Sequence, residues 1–84
     1  MDNPNIQTIV HGNAQAIFAQ YKEILTKQNK LTIDFNQTSK FDSSIFAVIL
    51  GLRRIANQHN YSLSIELSPS LKTLADVYGI YDIL

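Results

Sequence analysis

The chain contains no cysteine. That excludes disulfides, thiolate zinc sites, iron–sulfur clusters and cysteine nucleophiles, and it points to a reducing compartment. Net charge is missing too: seven Lys/Arg balance seven Asp/Glu over 84 residues. Without a basic excess there is no electrostatic footprint for nucleic acid or for an anionic membrane surface. The longest unbroken apolar run, Ile45 to Leu50, falls far short of the roughly 20 residues that cross a bilayer. The start, Met1-Asp2-Asn3-Pro4-Asn5, has neither the basic opening nor the apolar segment of a secretory signal. Gly12, Gly51 and Gly79 are isolated, so neither a phosphate-binding loop nor a dinucleotide fingerprint can be built. No G-x-S-x-G elbow occurs, His11 and His59 lack a metal-ligand spacing, and no pair stands out among Asp34, Asp42, Glu66, Asp76 and Asp82. A non-catalytic cytoplasmic protein with no metal and no cofactor is expected.

What is present is enough for one core. Apolar residues make up 45% of a 9.5 kDa chain, which predicts a single domain over residues 1–84. Ile6 to Val10 alternates imperfectly and reads as a short strand broken at His11-Gly12. Asn13 is placed to cap a helix whose stripe is Ala14, Ile17, Phe18, Tyr21, Ile24 and Leu25, ending near Gln28-Asn29-Lys30. Leu31, Ile33 and Phe35 alternate with Thr32 and Asp34 as a second strand, and Asn36 to Lys40 reads as a loop. A second helix, from Ser43 or Ser44 to Gln58, carries Ile45, Val48, Ile49, Leu52, Ile55 and Ala56 on one stripe. Ser62 to Leu67 alternates again. Ser68-Pro69 opens a third helix with the stripe Leu71, Leu74, Ala75 and Tyr78, and Gly79 fits a left-handed residue past its end. The order strand–helix three times over predicts an α/β fold with at least partly parallel pairing. The expected layers are a mixed sheet with helices packed mainly on one face.

Two places on the second helix invite a functional reading. Asp42-Ser43-Ser44 opens it with three residues that each suit a helix start, so either serine can cap. A helix start also favours an anion, and a phosphate there adds about −1.5 to −2 charges. Further along, Phe46 and Leu50 lie one turn apart and off the core stripe. They are either flank packing or a docking ridge with Arg53 and Arg54 at its edge.

At Asp42-Ser43-Ser44-Ile45-Phe46-Ala47-Val48-Ile49-Leu50-Gly51 the chain resembles the STAS family, named for sulfate transporters and anti-sigma-factor antagonists. Its hallmark is a loop reading roughly D-S/T-S/G-G/A that follows a strand, here Leu31 to Phe35, and opens the second main helix. Ser62 to Leu67, then Ser68 to Ala75, resemble the family's next strand and helix, so the likeness runs along nearly the whole chain. Two branches are implied. In the anti-sigma-factor antagonists the second serine after the aspartate is phosphorylated by a partner kinase. Ser44 holds that position, with Ile45 where that branch usually has glycine. The other branch is the small STAS subunit of Mla-type phospholipid-trafficking ABC transporters, which maintain outer-membrane lipid asymmetry. Its ending resembles Leu74-Ala75-Asp76-Val77-Tyr78-Gly79-Ile80-Tyr81-Asp82-Ile83-Leu84. In that branch a Ser or Thr directly after the aspartate, here Ser43, contributes to binding the ATPase subunit. This second resemblance implies an ATPase partner and a peripheral place at the cytoplasmic face of the inner membrane, without membrane insertion. The expected partner-binding residues are then Ser43, Ser44, Phe46, Leu50, Arg53 and Arg54.

Overall fold

The computed structural model describes residues 7–84. Its elements are β1 (Thr8–Ile9), α1 (Ala14–Gln28), β2 (Lys30–Asp34), β3 (Lys40–Phe41), α2 (Ser44–His59), β4 (Ser62–Glu66) and α3 (Pro69–Val77). Two 3₁₀ turns, Phe35–Gln37 and Tyr81–Ile83, complete the path. The expected first strand begins at Ile6, which lies outside the described residues together with Met1 to Asn5.

The pairing differs from one mixed sheet. β1 runs parallel to β3 and β2 runs parallel to β4, as two separate two-stranded ladders. In the larger ladder Leu31 partners Leu63 and Ile33 partners Ile65. These four point toward the helices, while Lys30, Thr32, Asp34, Ser62, Ser64 and Glu66 are all exposed on the opposite face. One covered face and one wet face explain why both strands alternate instead of reading as continuous apolar runs. Both strands are also entered by the same turn chemistry. Asn29 and Asn60 end α1 and α2 in the left-handed conformation, each at φ 57°, which asparagine tolerates better than most side chains.

β3 was expected as loop. Asp34 accepts a hydrogen bond from the Asn36 N–H at 2.9 Å and turns the chain, while Phe35 is buried and anchors that turn. The Gln7 carbonyl then accepts from the Ser39 and Lys40 N–H groups. A two-residue strand is too short to show any periodicity, so its partner β1 alone defines it.

The core is continuous across all three helices. Ile17, Tyr21, Ile24 and Leu25 of α1 meet Ile45, Val48, Ile49 and Leu52 of α2, and Leu71 and Ala75 of α3 join the same cluster. Burying side chains of this size contributes about 1.5–3 kcal/mol each. The Tyr21 ring stands edge-on to Phe35 with centroids 6.4 Å apart, and burial pushes its hydroxyl pKa up to about 12. Ser68 caps α3, accepting from the Leu71 N–H at 3.3 Å ahead of Pro69, and Gly79 takes φ +70° beyond its end. No helix among the described residues is long and apolar enough to cross a membrane.

Candidate functional site

The short β1–β3 ladder positions the start of α2. It sets Thr8 beside Lys40 and Ile9 beside Phe41, and the Asp42 N–H continues it by donating to the Ile9 carbonyl at 3.2 Å. Asp42 is thereby placed against the turn that leaves β1. One carboxylate oxygen accepts from the His11 main-chain N–H at 3.0 Å and the other from the Ser44 N–H at 2.9 Å. The His11 N–H, followed by the Ser44 hydroxyl and N–H, holds the Asp42 pKa below the ordinary carboxylate value of 3.8.

This corrects two sequence expectations. Neither serine caps α2 with its side chain; Asp42 does. Ser43 is already helical, at φ −62° and ψ −14°, so its hydroxyl lies outside capping geometry. Asn13 does not cap α1 either. Its side chain turns back on the strand exit, with Oδ1 accepting from the Val10 N–H at 2.8 Å and Nδ2 donating to the Thr8 carbonyl at 2.9 Å. Asn13 therefore closes the β1–α1 turn on itself, and Asp42 braces that turn against the start of α2.

Beside this brace runs an open groove between the first turns of α1 and α2, with a volume of about 430 Å³. His11, Ala14, Phe18, Ser44, Ala47 and Gly51 line it. Small residues at positions 47 and 51 leave α2 nearly bare there, and the Phe18 ring fills part of the gap. A Cβ on Gly51 would sit 2.8 Å from Phe18 Cε1. Ser43 is exposed at the start of α2 and Ser44 is half-buried at the groove. Sequence reasoning missed Phe18, Ala47 and Gly51 as surface-forming residues. The signal was available in the two small residues one turn apart, off the apolar stripe.

The remaining expected site residues fall elsewhere. Phe46 is 4% exposed and belongs to the core. The Tyr78 ring covers it edge-on, with centroids 5.7 Å apart. α2 is central, with α1 on one side and the turn after α3 on the other, so its buried arc is wider than one stripe. Leu50 is half-buried and Arg54 exposed. They line a second groove that also includes Arg53 and Ile83. Arg53 is engaged internally. Its Nε and Nη2 donate to the Leu84 main-chain oxygen at 3.1 and 2.8 Å, and Nη1 donates to the Leu63 carbonyl at 3.0 Å. Leu50 and Arg54 thus share one surface, Ser43 and Ser44 form another, and Phe46 lies beneath Tyr78.

Among the described residues no cluster of three or more His, Asp or Glu side chains is arranged to hold a metal ion. Every buried side-chain nitrogen and oxygen described has a hydrogen-bond partner. Compared with known proteins, the chain matches no family model and no curated protein.

Proposed function

We propose that this protein is a non-catalytic STAS-type subunit that docks on and supports the ATPase of a phospholipid-transporting, Mla-type ABC complex maintaining outer-membrane lipid asymmetry. The observation that carries the docking part is the braced start of α2. Its only carboxylate is satisfied by main-chain N–H groups, and beside it lies a groove of small and aromatic side chains. Such a surface offers packing and hydroxyl contacts to a partner rather than converging acids and bases to a substrate. The choice of partner rests on the resemblance of Asp42 to Gly51 to the STAS family and of Leu74 to Leu84 to its transporter branch, with Ser43 directly after the aspartate. Membrane association then comes through the complex.

A second reading, the serine-phosphorylated antagonist, gains support from one detail. A phosphate on Ser44 would face the Asp42 carboxylate, and the like-charge repulsion would loosen the brace on His11. The two readings order the serine variants oppositely. For the transporter subunit, co-purification with the ATPase falls modestly in Ser43→Ala and further in Ser43→Glu, where a charge enters a desolvated contact. Ser44→Ala is the mildest. For the switch, Ser44→Ala and Ser44→Glu dominate with opposite outcomes, and intact mass spectrometry of native protein finds a phosphate on Ser44. That result would overturn the transporter reading.

A further inference from the structure

The grooves of this protein differ in charge. The one beside Leu50 is lined by Arg53 and Arg54, and a cleft beside Ile65 by Lys72, Glu66 and Asp82. No Lys, Arg, Asp or Glu lines the groove between α1 and α2. Its charge comes from Asp42, which is bonded to the main chain of two lining residues, His11 and Ser44. An ionised carboxylate has about four acceptor positions, and these two bonds take one on each oxygen. Among the described residues no Lys or Arg pairs with Asp42. The start of α2 would by itself attract an anion, but Asp42 already meets that attraction, so a second anion is repelled there.

We propose that this groove receives an arginine side chain of a partner protein, with its guanidinium on Asp42 and the Ser44 hydroxyl and its stem along Ala47 toward Phe18 and Gly51. Ser44 and Gly51 lie about two turns apart on α2, so the groove runs about 10 Å from a charged end to an apolar one. A long apolar stem with a cation at its tip matches both ends at once. The planar guanidinium fork serves two neighbouring oxygen acceptors, which a lysine ammonium does less well. A leucine or phenylalanine would fill the apolar end and leave the Asp42 end without a counterpart. That the ATPase supplies the arginine rests on the docking reading above; the preference of the groove does not.

Amide chemical shifts of the full chain, titrated with N-acetyl-arginine amide and with N-acetyl-norleucine amide, test it. The arginine probe is expected to shift Ser44, Ala47 and Gly51 saturably and to bind about tenfold tighter than the norleucine probe. Asp42→Asn removes the charge and keeps an acceptor, and it should bring the two probes level. Equal binding of both probes to wild type makes the groove a purely apolar one and overturns the proposal. An arginine preference that Asp42→Asn leaves intact overturns it too, as does the absence of shifts at these three residues. Where Asp42→Asn does not fold, the wild-type comparison alone decides. Neither probe involves the ATPase, so the two readings fail separately: a groove that prefers arginine, with ATPase affinity unchanged in Gly51→Ala, overturns the docking reading and leaves the arginine site standing.

Discussion

α2 is fastened just before its first residue and again in its second half by a long-range bond between a side chain and the main chain, and both bonds span 31 residues: His11 to Asp42 and Arg53 to Leu84. Loop length therefore costs the same at each place, and the difference lies in what is joined. At the start of α2 a carboxylate binds two main-chain N–H groups, one in the β1–α1 turn and one in α2 itself. Both donors belong to segments continued by long helices. In the second half of α2 a guanidinium holds the Leu84 main-chain oxygen, just past a short 3₁₀ turn, and at the end of α3 Val77 is 74% and Tyr78 53% exposed. The first fastening makes a rigid surface, suited to a partner that must find one geometry. The second joins Leu84 and Leu63 to α2 through one side chain.

The largest effect expected from testing this contrast is at Phe46, which lies beneath the second surface and not on it. Phe46→Ala removes a buried ring and leaves Tyr78 without its edge-on partner, at a cost of about 3–5 kcal/mol in folding stability. A chain of this size has roughly 4–13 kcal/mol in total, so the variant should be marginal in chemical denaturation. Normal stability with weakened partner binding would instead put Phe46 at the interface and erase the distinction between core and ridge.

Asp42 gives the next effect, read through pH. Its folded pKa is lowered, so the stability it lends is complete above the ordinary value of 3.8 and is lost as pH falls through the folded value. Denaturant midpoints measured at about pH 5 and below about pH 3 should fall more steeply on acidification in wild type than in Asp42→Asn. Parallel falls in the two proteins would mean that the brace carries no charge-dependent stability.

Much of this architecture is legible in the sequence, for physical reasons that differ by element. α1, α2 and α3 follow from apolar residues at three- and four-residue steps, and Ser68-Pro69 and Gly79 mark α3 by local chemistry alone. β2 and β4 follow from alternation, because only one face of their ladder is covered. β3 is not legible, since two residues carry no period and its existence depends on Gln7 and Ile9 being nearby. The same dependence hides the site. Asp42, Ser43 and Ser44 are each plausible caps locally, and the choice of Asp42 is made by the His11 N–H, a group 31 residues away. Between flank packing and a ridge, the packed position of Phe46 is hidden for a comparable reason: the Tyr78 ring that covers it comes from the far end of α3.

Gly51 offers the smallest effect on stability and the sharpest test of the rigid surface. Replacing glycine by alanine inside a helix favours folding by about 1 kcal/mol. Against this, the new Cβ would meet Phe18 Cε1 at 2.8 Å and Cζ at 3.4 Å, so the ring must move. Phe18 is half-buried at the mouth of the groove and can swing outward without opening the deeper core. The two terms oppose each other, and Gly51→Ala should melt within about 1 kcal/mol of wild type. The displaced ring, however, enters the space between Ala14 and Ala47 that a partner would fill. If that groove receives the ATPase, affinity in a binding titration should fall about tenfold, equivalent to about 1.4 kcal/mol, while Arg54→Ala on the other surface changes it less. Unchanged affinity in Gly51→Ala, with a clear loss in Arg54→Ala, would move the interface to the surface of Leu50, Arg54 and Ile83. The partner would then meet the surface beside Arg53 and not the one braced by Asp42.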